Sequence, residues 1–184
     1  GGSKKVLVSQ QDEWLLKNLD RSTPLLIATR NKSRKIVKCL LSFGADPEKK
    51  DKYGNSALLL AVKEGCVEIV KDLIRAGAHL EERDEDGNTP LICAADGKHP
   101  DIISLLLKRG ADVAAENSKG DIAINFAAAN NDRESFEILA KAMGETKLHA
   151  KDANGWTPLE YARKSSAVLS WAATRNPPEP KGGV

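Results

Sequence analysis

The chain has 184 residues, 41% of them hydrophobic and 29% charged, with a formal net charge of +2. This suits one soluble domain with a real core. The charge is too small to demand nucleic acid or a membrane surface as partner, and no apolar run approaches the roughly 20 residues of a membrane span.

Taken in order, residues 1–5, opening Gly1-Gly2-Ser3, read as an expression scar or a disordered end. "SQQDEWLLKNLD", 9–20, carries the pattern of a capping helix over 6–20, with Trp14, Leu15, Leu16 and Leu19 on its inner side. A repeat then begins. "STPLLIATRN" starts at Ser22, "NSALLLAVKE" at Asn55, "NTPLICAADG" at Asn88 and "DIAINFAAAN" at Asp121, each step 33 residues long. A fifth copy, "WTPLEYARKS", starts at Trp156 after a step of 35. Self-similarity at this period marks a stacked array, in which one unit cannot bury both its faces and needs neighbours to cover them.

Within each copy a polar turn comes first, as in "DKYGN" and "DEDGN". Where Thr-Pro follows, threonine suits the N-cap and proline the first helical position, where its missing N–H costs nothing. A short helix is expected there, with Leu91, Ala94 and Ala95 of the third copy facing inward. A second helix is expected over stretches such as "VEIVKDLIRAGAH", whose Ile69, Val70, Leu73 and Ile74 fall on one side. Gly44, Gly77 and Gly110 end these helices in the C′ manner. Copies two and four lack Thr-Pro, having Ser56-Ala57 and Ile122-Ala123, and copy four carries two extra residues around "KAMGETKLHAKD", so a local stability minimum is expected near 122–150. "SSAVLSWAA", 165–173, reads as a shortened last helix closed by Trp171, and 173–184 as a Pro/Gly-rich tail or linker.

The pattern "G-x-TPL-x-x-AA" followed by "EIV-x-x-LL-x-x-GAD" resembles the ankyrin repeat over about residues 18–172. The resemblance implies an all-α solenoid of about five stacked repeats (~18–50, ~51–83, ~84–116, ~117–151 and ~152–172) with β-hairpin fingers, capped at both ends by helices. The histidine usual in the family after Thr-Pro-Leu is replaced by Leu26, Leu59, Ile92, Asn125 and Glu160.

Nothing in the chain has the spacing of a catalytic, cofactor or metal motif, so no enzyme activity, cofactor or metal is expected. "DEDGN" has only a faint likeness to a calcium loop, because its Gly comes too early and position twelve is Ala95 rather than Glu, and it reads better as a solvated acidic turn. His79, His99 and His149 lie in different repeats with no nucleophile beside them. Cys39, Cys66 and Cys93 form no ligand pattern and read as small buried hydrophobes in a reducing, intracellular compartment, cytoplasmic or nuclear.

Partners of the family usually lie along the concave side, against finger tips and first helices. Carried over by repeat position, that implies a protein-interaction scaffold, monomeric, whose strip includes Lys52, Tyr53, Asn55 and Lys63 from copy two, Glu85, Asp86, Asn88 and Asp96 from copy three, Lys119 and Asp121 from copy four and Trp156 from copy five. Tyr53 and Trp156 are aromatic anchors of the kind enriched at hot spots. Residues 1–52 hold 12 Lys/Arg against 6 Asp/Glu and residues 53–116 hold 7 against 12, a segregation able to set the register of an extended peptide. Two other readings fit the same residues. The basic first third could bind nucleic acid or anionic lipid, or the array could be a spacer within a larger multidomain protein.

Overall fold

The computed structural model describes residues 22–144, 155–158 and 160. Eight helices lie among them and pair four times. The pairs are α1 (Pro24–Arg30) with α2 (Arg34–Ser42), α3 (Ala57–Lys63) with α4 (Val67–Arg75), α5 (Pro90–Asp96) with α6 (Pro100–Lys108), and α7 (Ala123–Ala129) with α8 (Arg133–Met143). The first helices α1, α3, α5 and α7 stack in one row, and the second helices α2, α4, α6 and α8 in another.

The helices begin where local chemistry starts them. The Thr23 hydroxyl accepts from Leu26 N at 3.3 Å and the Thr89 hydroxyl from Ile92 N at 3.4 Å, each with proline next. Ser56 does the same for α3, accepting from Leu59 N, so copy two keeps its cap without Thr-Pro. In copy four the N-cap is Ile122, which has no oxygen to offer, and α7 starts without a side-chain cap. Thr157 and Glu160 form a reciprocal capping box: Glu160 N donates to the Thr157 hydroxyl at 3.2 Å and Thr157 N to the Glu160 carboxylate at 2.7 Å.

Between the rows lies one continuous core of Leu, Ile, Val and Ala, with Leu58, Leu91, Ile103, Leu106, Phe136 and Leu139 fully buried. Leu91, Ala94 and Ala95 face inward as expected. Stacking is visible in one repeat position: Ile36 is 54% exposed, whereas Ile69 and Ile102 are 2% and 0% exposed. The latter two have another second helix stacked on the N-terminal side of their own.

Three expectations change. Among the described residues there is no β-strand. The described fingers are tight turns, each closed by a backbone bond: Asp51 N to Asn55 O (3.0 Å), Asp84 N to Asn88 O (3.2 Å) and Asn117 N to Asp121 O (2.9 Å). The cysteines are not all buried. Cys39 is exposed, because the sole buried side chain of α2 is Val37; Cys66, the N-cap of α4, is half-buried, and Cys93 sits inside on α5. Third, the acidic turn is not simply solvated, as described below. The expected capping helix (6–20), the irregular stretch after Gly144, most of the fifth repeat, the closing helix with Trp171, and the tail lie outside the described residues.

Candidate functional site: a cleft between fingers and first helices

Each finger is organised by one side chain. Asp51 Oδ1 accepts from Tyr53 N and Asn55 N, both at 2.9 Å. Asp84 Oδ1 accepts from Asp86 N (3.1 Å) and Asn88 N (2.9 Å), and Asn117 Oδ1 from Lys119 N and Asp121 N, both at 2.9 Å. A short side chain that caps its own turn fixes the tip without a strand ladder. Successive fingers nest closely. A Cβ on Gly87 would stand 2.8 Å from Ser118 N, and that same amide donates to Asp86 O at 3.1 Å.

The second carboxylate oxygen of each aspartate serves the junction between units. Arg30 donates to Asp51 Oδ2 at 2.6 Å, and Lys63 Nζ lies 2.9 Å from Asp84 Oδ2. Burial pushes the Asp51 carboxyl up, but bonds from Asn55, Tyr53 and Arg30 outweigh it and hold it below the ordinary carboxylate range. At Asp84 burial again pushes upward and loses, here to Lys63 and Asn88. Elsewhere Lys32 pairs with Glu64, Arg34 with Glu68 and Asp72, and Lys50 with Glu82. The segregation of charge along the sequence is therefore largely complementarity across junctions: cations of one unit meet carboxylates of the next.

The face shared by fingers and first helices carries two hollows that both touch Phe126. The larger, about 280 Å³, lies between finger residues Asp84, Asp86 and Asn88 and first-helix residues Lys63, Ile92, Cys93, Asp96 and Phe126. The smaller, about 160 Å³, is lined by Asp121, Asn125, Phe126 and Ala129. Among the described residues, Asp86, Asp96 and Asp121 form no salt bridge. Asp96 accepts only from the Asn130 amide, at 3.3 Å from Oδ1. Burial pushes the Cys93 thiol up to about 12, so it is an apolar part of the floor and not a nucleophile at neutral pH.

Of the residues expected on the strip, Lys63, Asp86, Asn88, Asp96 and Asp121 come together around these hollows. Asn55 does not: it is 7% exposed, and its amide faces Asp51 while its oxygen accepts from Lys63 Nζ at 2.7 Å. Its side chain is a strut inside the finger and not a contact for a partner. Lys52 and Tyr53 stand at the tip of an earlier finger, Tyr53 49% exposed with Lys52 Nζ 4.9 Å from its ring centre. Glu85 and Lys119 are exposed on their own tips. Trp156 is 37% exposed beyond the described run of units. Phe126 was not singled out from the sequence, although it is the residue both hollows share. The signal was available: its equivalents in the other copies are Ile27, Leu60, Cys93 and Tyr161, and the phenylalanine is larger than the first three.

Glu48, His79 and Glu82 offer ligand atoms within 4.8 Å of one another. Lys50 Nζ already sits 2.5 Å from Glu82 Oε2, and an ammonium there opposes a dication. No helix among the described residues is long and apolar enough to cross a membrane.

A family model described as ankyrin repeats (3 copies) matches residues 4–84, 25–117 and 71–152. No curated protein matches the chain.

Proposed function

The chain belongs to the ankyrin-repeat family, whose repeats are generally protein-interaction modules, and from that premise we propose that it is a non-catalytic module binding a peptide or folded partner on the face of fingers and first helices. The observation that carries the proposal is the pair of hollows that share Phe126, one lined by Asp86 and Asp96 and the other by Asp121, with no cation paired to these three among the described residues. Exposed carboxylates beside a half-buried ring give a surface both adhesive and selective. The hollows are at or below the lower end of the size usual for a small-molecule site, which favours side chains of a macromolecule as occupants.

The test compares proteins captured by the full chain with those captured by an Asp96→Lys, Asp121→Lys variant of unchanged melting temperature. At least one captured protein is expected to be lost from the variant and then to bind the wild-type chain directly when purified. An identical set on both chains removes this face as the binding surface.

A further inference from the structure

We propose that the cleft takes an arginine side chain from a partner peptide, with an apolar neighbour of that arginine in the smaller hollow. This rests on the interaction-module reading and specifies its chemistry.

The charge around the cleft is one-sided. Asp84, Asp86, Asp96 and Asp121 line the two hollows against one cation, Lys63. Lys63 is already committed, 2.9 Å from Asp84 and 2.7 Å from the Asn55 oxygen. Asp86 and Asp96 are left facing the larger hollow, with Asp121 on the smaller one beside it, and a cation in the larger hollow gains the attraction of the two carboxylates that line it.

The floor decides which cation fits. Ile92 and Cys93 are already buried, and a metal ion or a compact ammonium would leave the open part of Phe126 uncovered. Arginine covers it: its methylene stem lies on apolar surface and its planar guanidinium stacks on a ring while donating to carboxylates in a fork. Phe126 is half-buried, so one part of its ring is held by the core and another is open to the groove. The larger hollow, about 280 Å³, has room for one long side chain. The smaller hollow adjoins it through Phe126 and adds Ala129, a surface suited to an apolar side chain beside the arginine.

A displayed random peptide library selected on the full chain tests this, followed by titration of the tightest peptide. Selected sequences are expected to share an arginine next to an apolar residue. Replacing that arginine with citrulline, which keeps the shape and removes the charge, is expected to weaken binding about tenfold or more. The combined Asp86→Asn, Asp96→Asn, Asp121→Asn variant is expected to match that loss, and none of the three positions belongs to the core. Selected peptides without basic residues, or a citrulline peptide that binds as well, overturn the arginine site. If binding of such peptides still disappears in Phe126→Ala, or in Phe126→Leu should the first fail to fold, the interaction module stands without it. Selection of no peptide, or binding indifferent to Phe126, overturns both.

Discussion

Lys63 Nζ lies 2.9 Å from Asp84 Oδ2, and the two residues belong to neighbouring units. The same offset of 21 positions joins Arg30 to Asp51. One unit further, the cation's position is occupied by Asp96 and the carboxylate's by Asn117, a pair that avoids placing two anions together. Asn117 keeps the turn-capping bonds that Asp51 and Asp84 make, so an amide satisfies the finger and only the ion pair is optional. The Lys63–Asp84 link thus separates into a local role for Oδ1 and a junction role for Oδ2.

That separation predicts a double-mutant cycle. Asp84→Asn should retain the finger and lose the pair. Lys63→Met should leave Asp84 with its backbone donors but no cation. Each single change is expected to lower stability by about 1–2 kcal/mol, and the coupling should be about 1 kcal/mol, since one partner is buried and the other partly exposed. Urea titrations of the four proteins give both figures. Strict additivity would show that the pair contributes nothing to the junction.

Acid stability follows from the same carboxylates. The bond from Arg34 holds Asp72 below its ordinary value against the smaller upward push of burial, and Asp51 and Asp84 are depressed as well. As pH falls, the unfolded chain, whose aspartates titrate near 3.8, takes up these protons before the folded chain does. Their contribution is full well above that value and disappears as pH drops through the lower folded values. Melting temperature measured from pH 7 to pH 2 should therefore hold steady in its upper part and fall steeply at the acid end. In Asp51→Asn with Asp84→Asn the plateau should be lower and the acid fall shallower. An unchanged acid limb in that variant would remove these two groups as its cause.

The turn between paired helices offers a separate handle. Lys32, Gly65, Lys98 and Asn131 occupy one repeat position and all have positive φ, between 53° and 67°. Glycine holds it once, and there a Cβ would stand 2.7 Å from the His99 ring of the next unit. Lysine is strained in this backbone region. Lys98→Gly is expected to raise stability by about 0.5–1 kcal/mol, the relief exceeding the added freedom of the unfolded chain. Gly65→Ala is expected to lower it by about 1–2 kcal/mol through backbone strain and the displaced imidazole. Thermal melts of the two variants should shift in opposite directions.

Legibility in the sequence divides by what each feature depends on. Helix starts at Thr23 and Thr89 and the inward set Leu91, Ala94, Ala95 were readable because they rest on local backbone chemistry repeated every 33 residues. The direction in which a polar side chain turns was not. Asn55 and Asp84 sit in polar turns, yet both point inward to meet Lys63, and the clue was the pairing of Arg30, Lys63 and Asp96 with Asp51, Asp84 and Asn117 at one constant offset. The basic first third looked like a field because its partners lie a whole repeat away, as Arg34 and Asp72 do. Four strip residues line the larger hollow and Asp121 the smaller, since the repeat frame carries a finger tip and a first-helix end to the same face. Phe126 was hidden in the sequence because the same position of the first three copies holds Ile27, Leu60 and Cys93, apolar residues unremarkable in a first helix.

The uncapped start of α7 gives the last prediction. Ile122 stands where Thr23, Ser56 and Thr89 accept from the third residue of their helices, so Asn125 N receives no side-chain cap there and instead donates to Ile122 O at 3.0 Å. The Ile122 backbone, φ −110° and ψ 165°, is already the extended form that a capping residue and a residue before proline both need. Ala123 is the first helical residue, a place where proline removes no helical bond. Ile122→Thr with Ala123→Pro therefore restores the signal of the first and third copies. The change trades some packing of a half-buried isoleucine for a cap and a stiffer unfolded chain. A net gain of about 1 kcal/mol is expected, concentrated in the fourth unit. Amide exchange should show it as slower exchange across α7 and α8 with little change in α3 and α4. Equal slowing everywhere would mean that the units unfold together and that the fourth is no weaker than the rest.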